Sequence, residues 1–325
     1  MRNVTLGLCL FGICASVIVL ASCGSGTPLG PPGTVHQSSA RPMPGSGENL
    51  IYATTGASKV YVFAYSTGER VGTLTGFSEA GIPCTDKAGD VFFPDFFARQ
   101  IVEYAHGGTS PISTLSDGGY EPDGCAVDPK SGDLAVGNYA SVDSKPSSVA
   151  IYRNARGTPV LYPVPADTAA ETCAYDNHGS LFVSASSPTN QTFALLELPH
   201  GGSSLSAISV DRQITGGGAI QWDGSYLAIG DPRYRGRGSS TIDRVEVTGS
   251  AGTVVGTITL SNPQKREPYT GVGFWIKDHT IVQPDLRSDS GIEYWKYPAG
   301  GMATKTIKAK IPGLFGVTVS VAPRR

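Results

Sequence analysis

Four residues stand at one recurring position of this sequence, each just behind a short apolar run, and their side chains could hold a ligand: Asp95, Asn138, Asp231 and Asp285. Thr55 and Ala185 occupy the same place in two further copies. Glu79, Asp123, Glu171 and Glu267 precede other copies, so the loops that meet there should form an acidic rim. The stretch DPRYRGRGSS, residues 231–240, adds Arg233, Arg235 and Arg237 with Tyr234. Guanidinium groups grip carboxylates bidentately, and a tyrosine ring stacks on a sugar or an aromatic ligand. Asp95, Asn138, Asp231, Arg233, Arg235 and Asp285 are therefore the candidate ligand-binding set. Asp and Asn behind a strand also bond to nearby backbone and start a loop, and that structural role is the simpler expectation for each of them taken singly.

Other chemistry is poorly provided for. Five histidines are present, but His106 and His200 share one kind of Gly-rich turn, His178 and His279 another, and His36 lies in a polar leader. No HExxH, GxSxG or metal-spaced pair occurs. Cys84, Cys125 and Cys173 fall at equivalent positions of three successive units. Their odd number leaves at least one unpaired and none has CxxC spacing, so they are read as small buried apolar side chains, not as a disulfide framework. Trp222, Trp275 and Trp295 are expected in the core.

The elements that must position these residues emerge from self-similarity. GCAVDPKSGDLAVGN, residues 124–138, has counterparts at 81–95 (GIPCTDKAGDVFFPD), 172–185 (TCAYDNHGSLFVSA) and 219–231 (AIQWDGSYLAIGD). Each unit reads as strand, tight turn, strand, loop, strand, Gly-rich turn, strand. Second strands are expected near 51–53, 91–93, 134–136, 181–183, 227–229 and 281–283, spaced roughly 40 to 55 residues apart, the range of propeller blades. The first unit lacks a leading strand, while residues 317–322 are a leading strand with nothing after it. Joined, they make one blade. The reading is an all-β, six-bladed propeller of four-stranded antiparallel blades, closed by the C-terminal strand joining the N-terminal blade. Glycine, 42 of 325 residues, is well above the roughly 7% of average proteins, as many turns require. Lys and Arg number 25 against 27 Asp and Glu, so no basic surface offers itself to nucleic acid. The domain is expected to be monomeric.

Residues 1–22 have the layout of a secretory signal: Arg2, then an apolar run from Val4 to Ala21. The run ends Leu20-Ala21-Ser22-Cys23, which resembles the lipobox of bacterial lipoproteins. That resemblance implies cleavage before Cys23, a lipid on its sulfur and attachment to a membrane. Gly24, where the best-known inner-membrane retention signal has Asp, favours the outer membrane in a two-membrane cell. Residues 23–47, rich in Gly, Pro and Ser, read as a flexible tether, and residues 48–325 as the propeller.

The units, with their apolar strand, Asp-x-x-Gly turn, apolar strand and closing Asp or Asn, resemble the NHL-type repeat and the gluconolactonase (senescence-marker) propellers. The resemblance implies a divalent ion such as calcium on the rim, held by Glu171, Asn138, Asp231 and Asp285, that would serve a lactonase-like hydrolase. The first expectation is nevertheless a lipid-anchored binding or scaffold module of the cell envelope, for an unidentified protein or small molecule. The metal-dependent hydrolase is the alternative.

Overall fold

A computed structural model describes residues 42–141, 146–190, 192–214, 218–231, 240–261, 273–284 and 291–323. The signal, most of the tether, Cys23, Arg233, Arg235, Arg237, Glu267 and Asp285 lie outside the described residues.

The described chain is all-β, broken by one 3-10 turn at Arg153–Ala155. Its strands fall into four-stranded antiparallel groups. Sheet 1 combines Val317–Ser320, Leu50–Thr54, Lys59–Ala64 and Arg70–Thr75. Sheet 2 runs Cys84–Thr85, Val91–Asp95, Gln100–Tyr104, Ser113–Ser116, and sheet 3 runs Tyr120–Val127, Leu134–Ser141, Ser148–Tyr152, Val160–Pro163. A twelve-stranded path contains the remainder. It divides into sheet 4 (from Ala169–Tyr175 to Ser206–Val210), sheet 5 (from Ile220–Trp222 to Ala251–Ser261) and sheet 6 (from Trp275–Lys277 to Gly300–Ile307), joined at their outer strands by short parallel pairings.

Burial explains why the second strands were the most legible. Leu50–Thr54, Val91–Asp95 and Leu227–Asp231 are buried at every residue, as a strand covered on both faces must be, and so they read as unbroken apolar runs. Outer strands alternate, as in Ala251–Ser261, because one face meets solvent. The turns between first and second strands share one device. Asp86, Asp128, Asp176 and Asp223 each turn Oδ1 back on the loop, where backbone N–H groups of Ala88, Lys130, His178 and Ser225 donate at 2.7 to 2.9 Å. This is the turn chemistry anticipated for Asp128 to Asp133.

The innermost strands touch in succession. Gly273 donates its N–H to Phe315 O at 3.2 Å, and Ile82 donates to Asp123 O at 2.8 Å. Thr172 Oγ1 donates to Gly218 O at 3.1 Å, and Gln221 exchanges two hydrogen bonds with the Ile276 backbone at 2.9 and 2.6 Å. Glycine is obligatory in this crowd: a Cβ on Gly81 would lie 2.1 Å from Asp123 O, one on Gly124 2.8 Å from Glu171 O, and one on Gly316 2.9 Å from Ile82 Cα. Leu50–Ala53 pairs antiparallel with Val317–Ser320, with Tyr52 opposite Thr318. Apolar layers fill the space between sheets, for example Tyr52, Phe77, Phe93 and Tyr104 between the first two. Trp295 is buried, and Trp222 stacks on Phe182.

The expectation for the cysteines is corrected. Cys84 and Cys125 form a disulfide, with Cα atoms 5.5 Å apart, while Cys173 is a buried free thiol. The crowding that suits a small side chain at this level also brings neighbouring innermost strands within bridging distance.

Candidate functional site

Loops between second and third strands share a face with the loops leading into each sheet, and the acidic residues gather there. Glu79, Asp123 and Phe96, Tyr139 and Phe315 line a cleft of about 340 Å³, with Gly81 at its floor. Glu171 stands beside it: its charge and that of Glu79 push the Asp123 carboxyl up, after burial as the larger cause, to about 8. Burial, then the neighbouring Asp95 charge, raises Glu79, and burial raises Glu171 against the hydrogen bond it accepts from Ser186 Oγ. Among the described residues none of the three carboxylates is ion-paired. The arrangement is a patch of like charge walled by aromatic faces, suited to a cation.

None of the candidate ligand-binding residues that are described lines this cleft. Asp95 is buried beneath it, where Oδ1 accepts from the N–H groups of Ser78 and Glu79 at 2.9 and 3.0 Å and Oδ2 from Gln100 Nε2 at 3.3 Å. It therefore clamps the loop that carries Glu79 and does not face a ligand. Asn138 is also buried; its Nδ2 donates to Ser148 Oγ at 3.2 Å, and its side chain lies beside Asp117. Asp117 receives the Tyr152 hydroxyl at 2.8 Å, and burial raises its carboxyl to about 7 against hydrogen bonds from Tyr152 and Asn138. Asp231 is buried at the end of its strand.

For the divalent ion, the described residues do not supply a ligand set. No three His, Cys, Asp or Glu among them could hold a metal; Asn138 donates its Nδ2 to Ser148, while its Oδ1 is buried without a hydrogen-bond partner.

Sequence reading missed the aromatic walls, although a signal was present. Phe96 and Tyr139 directly follow Asp95 and Asn138, so where the acid or amide turns inward to hold the loop, the next side chain turns out to the cleft. Phe315 precedes the last strand and had no repeat to mark it.

A second cavity, of about 390 Å³, lies between the innermost strands; all six sheets, or the residues just before them, contribute to its wall.

No family model matches this chain, and no curated protein does. Solved structures are similar in fold. A structure described as a nidogen/laminin complex aligns at 12% identity over 86% of this chain and 100% of that chain, with a TM-score of 0.65. A protein of unknown function from Bacteroides caccae aligns at 11% identity, over 86% and 99%, with 0.60. The RRP9 WD40 repeats align at 9% identity, over 76% and 72%, with 0.54. These neighbours are propeller-like, and with the four-stranded antiparallel sheets they make this chain an all-β protein of β-propeller type. At such identities the likeness concerns the fold alone.

Proposed function

We propose that the chain is an exported, lipid-anchored, six-bladed propeller of NHL-like repeats that binds a cationic ligand in the acidic and aromatic cleft of its rim. Six blades and a ring closed by Val317–Ser320 account for the successive contacts of the innermost strands and for the pairing of that strand with Leu50–Thr54. The lipobox-like Leu20 to Cys23 supports the anchor. The chain enters the domain beside the Gly-rich turns of sheets 1 and 2, where Met43 N–H donates to Gly107 O at 2.8 Å and Ser66 N–H to Glu48 Oε2 at 3.3 Å. Those turns lie at the opposite end of the strands from the rim.

One observation carries the binding role: Glu79 and Glu171 crowd the Asp123 carboxyl and raise it, with no described countercharge on any of the three, beside Phe96, Tyr139 and Phe315. Such a cluster is stabilised by an added cation. Titration with choline against its neutral isostere 3,3-dimethylbutan-1-ol tests this. Above pH 8, where Asp123 is ionised, choline is expected to bind saturably and the alcohol not, and Asp123→Asn should weaken choline binding roughly tenfold. Equal binding of cation and isostere, or indifference to Asp123→Asn, removes the reading.

A further inference from the structure

We propose that the cavity between the innermost strands is a second binding site, separate from the rim, for a small, uncharged and largely apolar molecule. Its volume of about 390 Å³ falls in the range of small-molecule pockets. Ile82, Ala126, Cys173, Ile220, Phe274 and Val317, one from each sheet or the residues leading into it, form the wall. Most polar groups of that wall are already engaged, and the exception is Trp222 Nε1, a buried donor without a partner. Thr172 Oγ1 is bonded to Gly218 O, and Gln221 uses both ends of its amide on Ile276. Asp223 accepts from Ser225 and Tyr226 N–H at 2.8 and 2.7 Å, from Arg244 Nε at 2.9 Å and from the Tyr297 hydroxyl. A ligand thus meets mostly carbon and sulfur with one indole N–H left to donate, and a charged ligand would lose its hydration without a countercharge.

The mouth is fixed by the same reading. Pro129, Asn177, Asp223 and Gly224, all from turns between first and second strands, border the cavity, and none of Glu79, Asp123 and Tyr139 does. Gly81 borders the rim cleft while the next residue, Ile82, borders the second cavity, and between them the strands close so tightly that a Cβ on Gly81 would lie 2.1 Å from Asp123 O. The two sites therefore open at opposite ends of the strands.

Trp222 and Trp275 border the cavity and report on its contents. The full chain is titrated with the neutral fluorophore N-phenyl-1-naphthylamine, read by energy transfer from tryptophan. One saturable site is expected, weakened at least about tenfold in both Ala126→Leu and Val127→Phe, with unchanged far-UV circular dichroism, and unaltered in Asp123→Asn. Uptake by the apolar run near the N-terminus would be indifferent to all three substitutions. Absence of a saturable component, or equal affinity in the wild type and both cavity variants, overturns the proposal. Should Val127→Phe fail to fold, Ala126→Leu decides. The choline titration is independent, so failure of one site leaves the other standing.

Discussion

Asp95 and Asp117 show how a buried carboxylate can serve the fold while its neighbours face the ligand. Asp95 accepts from two backbone N–H groups, the Ser78 hydroxyl and Gln100. Asp95→Ala leaves those donors under the cleft without their acceptor, and a loss of about 2–4 kcal/mol is expected in denaturant unfolding. Asp117 differs because burial outweighs its hydrogen bonds and lifts its carboxyl to about 7, above the ordinary value near 3.9. A carboxyl raised on folding stabilises below its unfolded pKa and loses that contribution as pH rises through the folded one. Thermal stability should therefore fall between about pH 4 and pH 7, and Asp117→Asn should flatten the fall; Asp123, also raised, leaves a residual slope. An identical slope in wild type and variant contradicts this assignment. At the rim the sign is opposite for binding: choline affinity should increase as pH rises through about 8, where Asp123 ionises.

At the level of elements, the disulfide links the innermost strands of two neighbouring sheets across 41 residues. Closing a loop of that length restricts the unfolded chain by an amount worth about 4 kcal/mol in the chain-entropy model. Cys84→Ser is expected to cost about 2–4 kcal/mol in chemical unfolding, and reducing agent should affect the wild type but not the variant. Cys173, free and buried, should be insensitive to the same treatment. The Asp-led turns make the complementary point that repeated residues can repeat for architecture: four of them hold backbone, and one, Asp223, also anchors Arg244 and Tyr297 at the mouth of the second cavity.

For the whole molecule, the pairing of Val317–Ser320 with Leu50–Thr54 joins the two ends of the domain. His106 reinforces the join, its Nδ1 2.6 Å from Ser320 Oγ and its Nε2 3.0 Å from Glu48 O. Removing residues 317–325 would expose both the edge of Leu50–Thr54 and the apolar face that Val317 and Val319 cover together with Ile51 and Ile292. Such a truncation is expected to lose cooperative thermal unfolding, whereas truncation at residue 323 should not; a cooperative transition in the shorter chain would argue against the closed ring.

The sequence by itself determined the strands, their repeat and the partnership of the chain's ends, because burial on both faces writes an unbroken apolar run and turns demand Asp and Gly at fixed places. It did not determine which polar residues face a ligand. Asp95, Asn138 and Asp231 occupy one place in the repeat, yet all three are buried; hydrogen bonds from Ser78, Glu79 and Gln100 turn Asp95 inward, and one to Ser148 on the adjacent strand turns Asn138 inward. Nor did it pair Cys84 with Cys125 and leave Cys173 free, since equivalent positions in three units are distinguished only by how closely neighbouring strands approach. Those decisions belong to the tertiary structure, because they depend on which loops and strands meet and how closely, within a sheet for Asp95 and Asn138 and between sheets for the cysteines, and no local pattern encodes that.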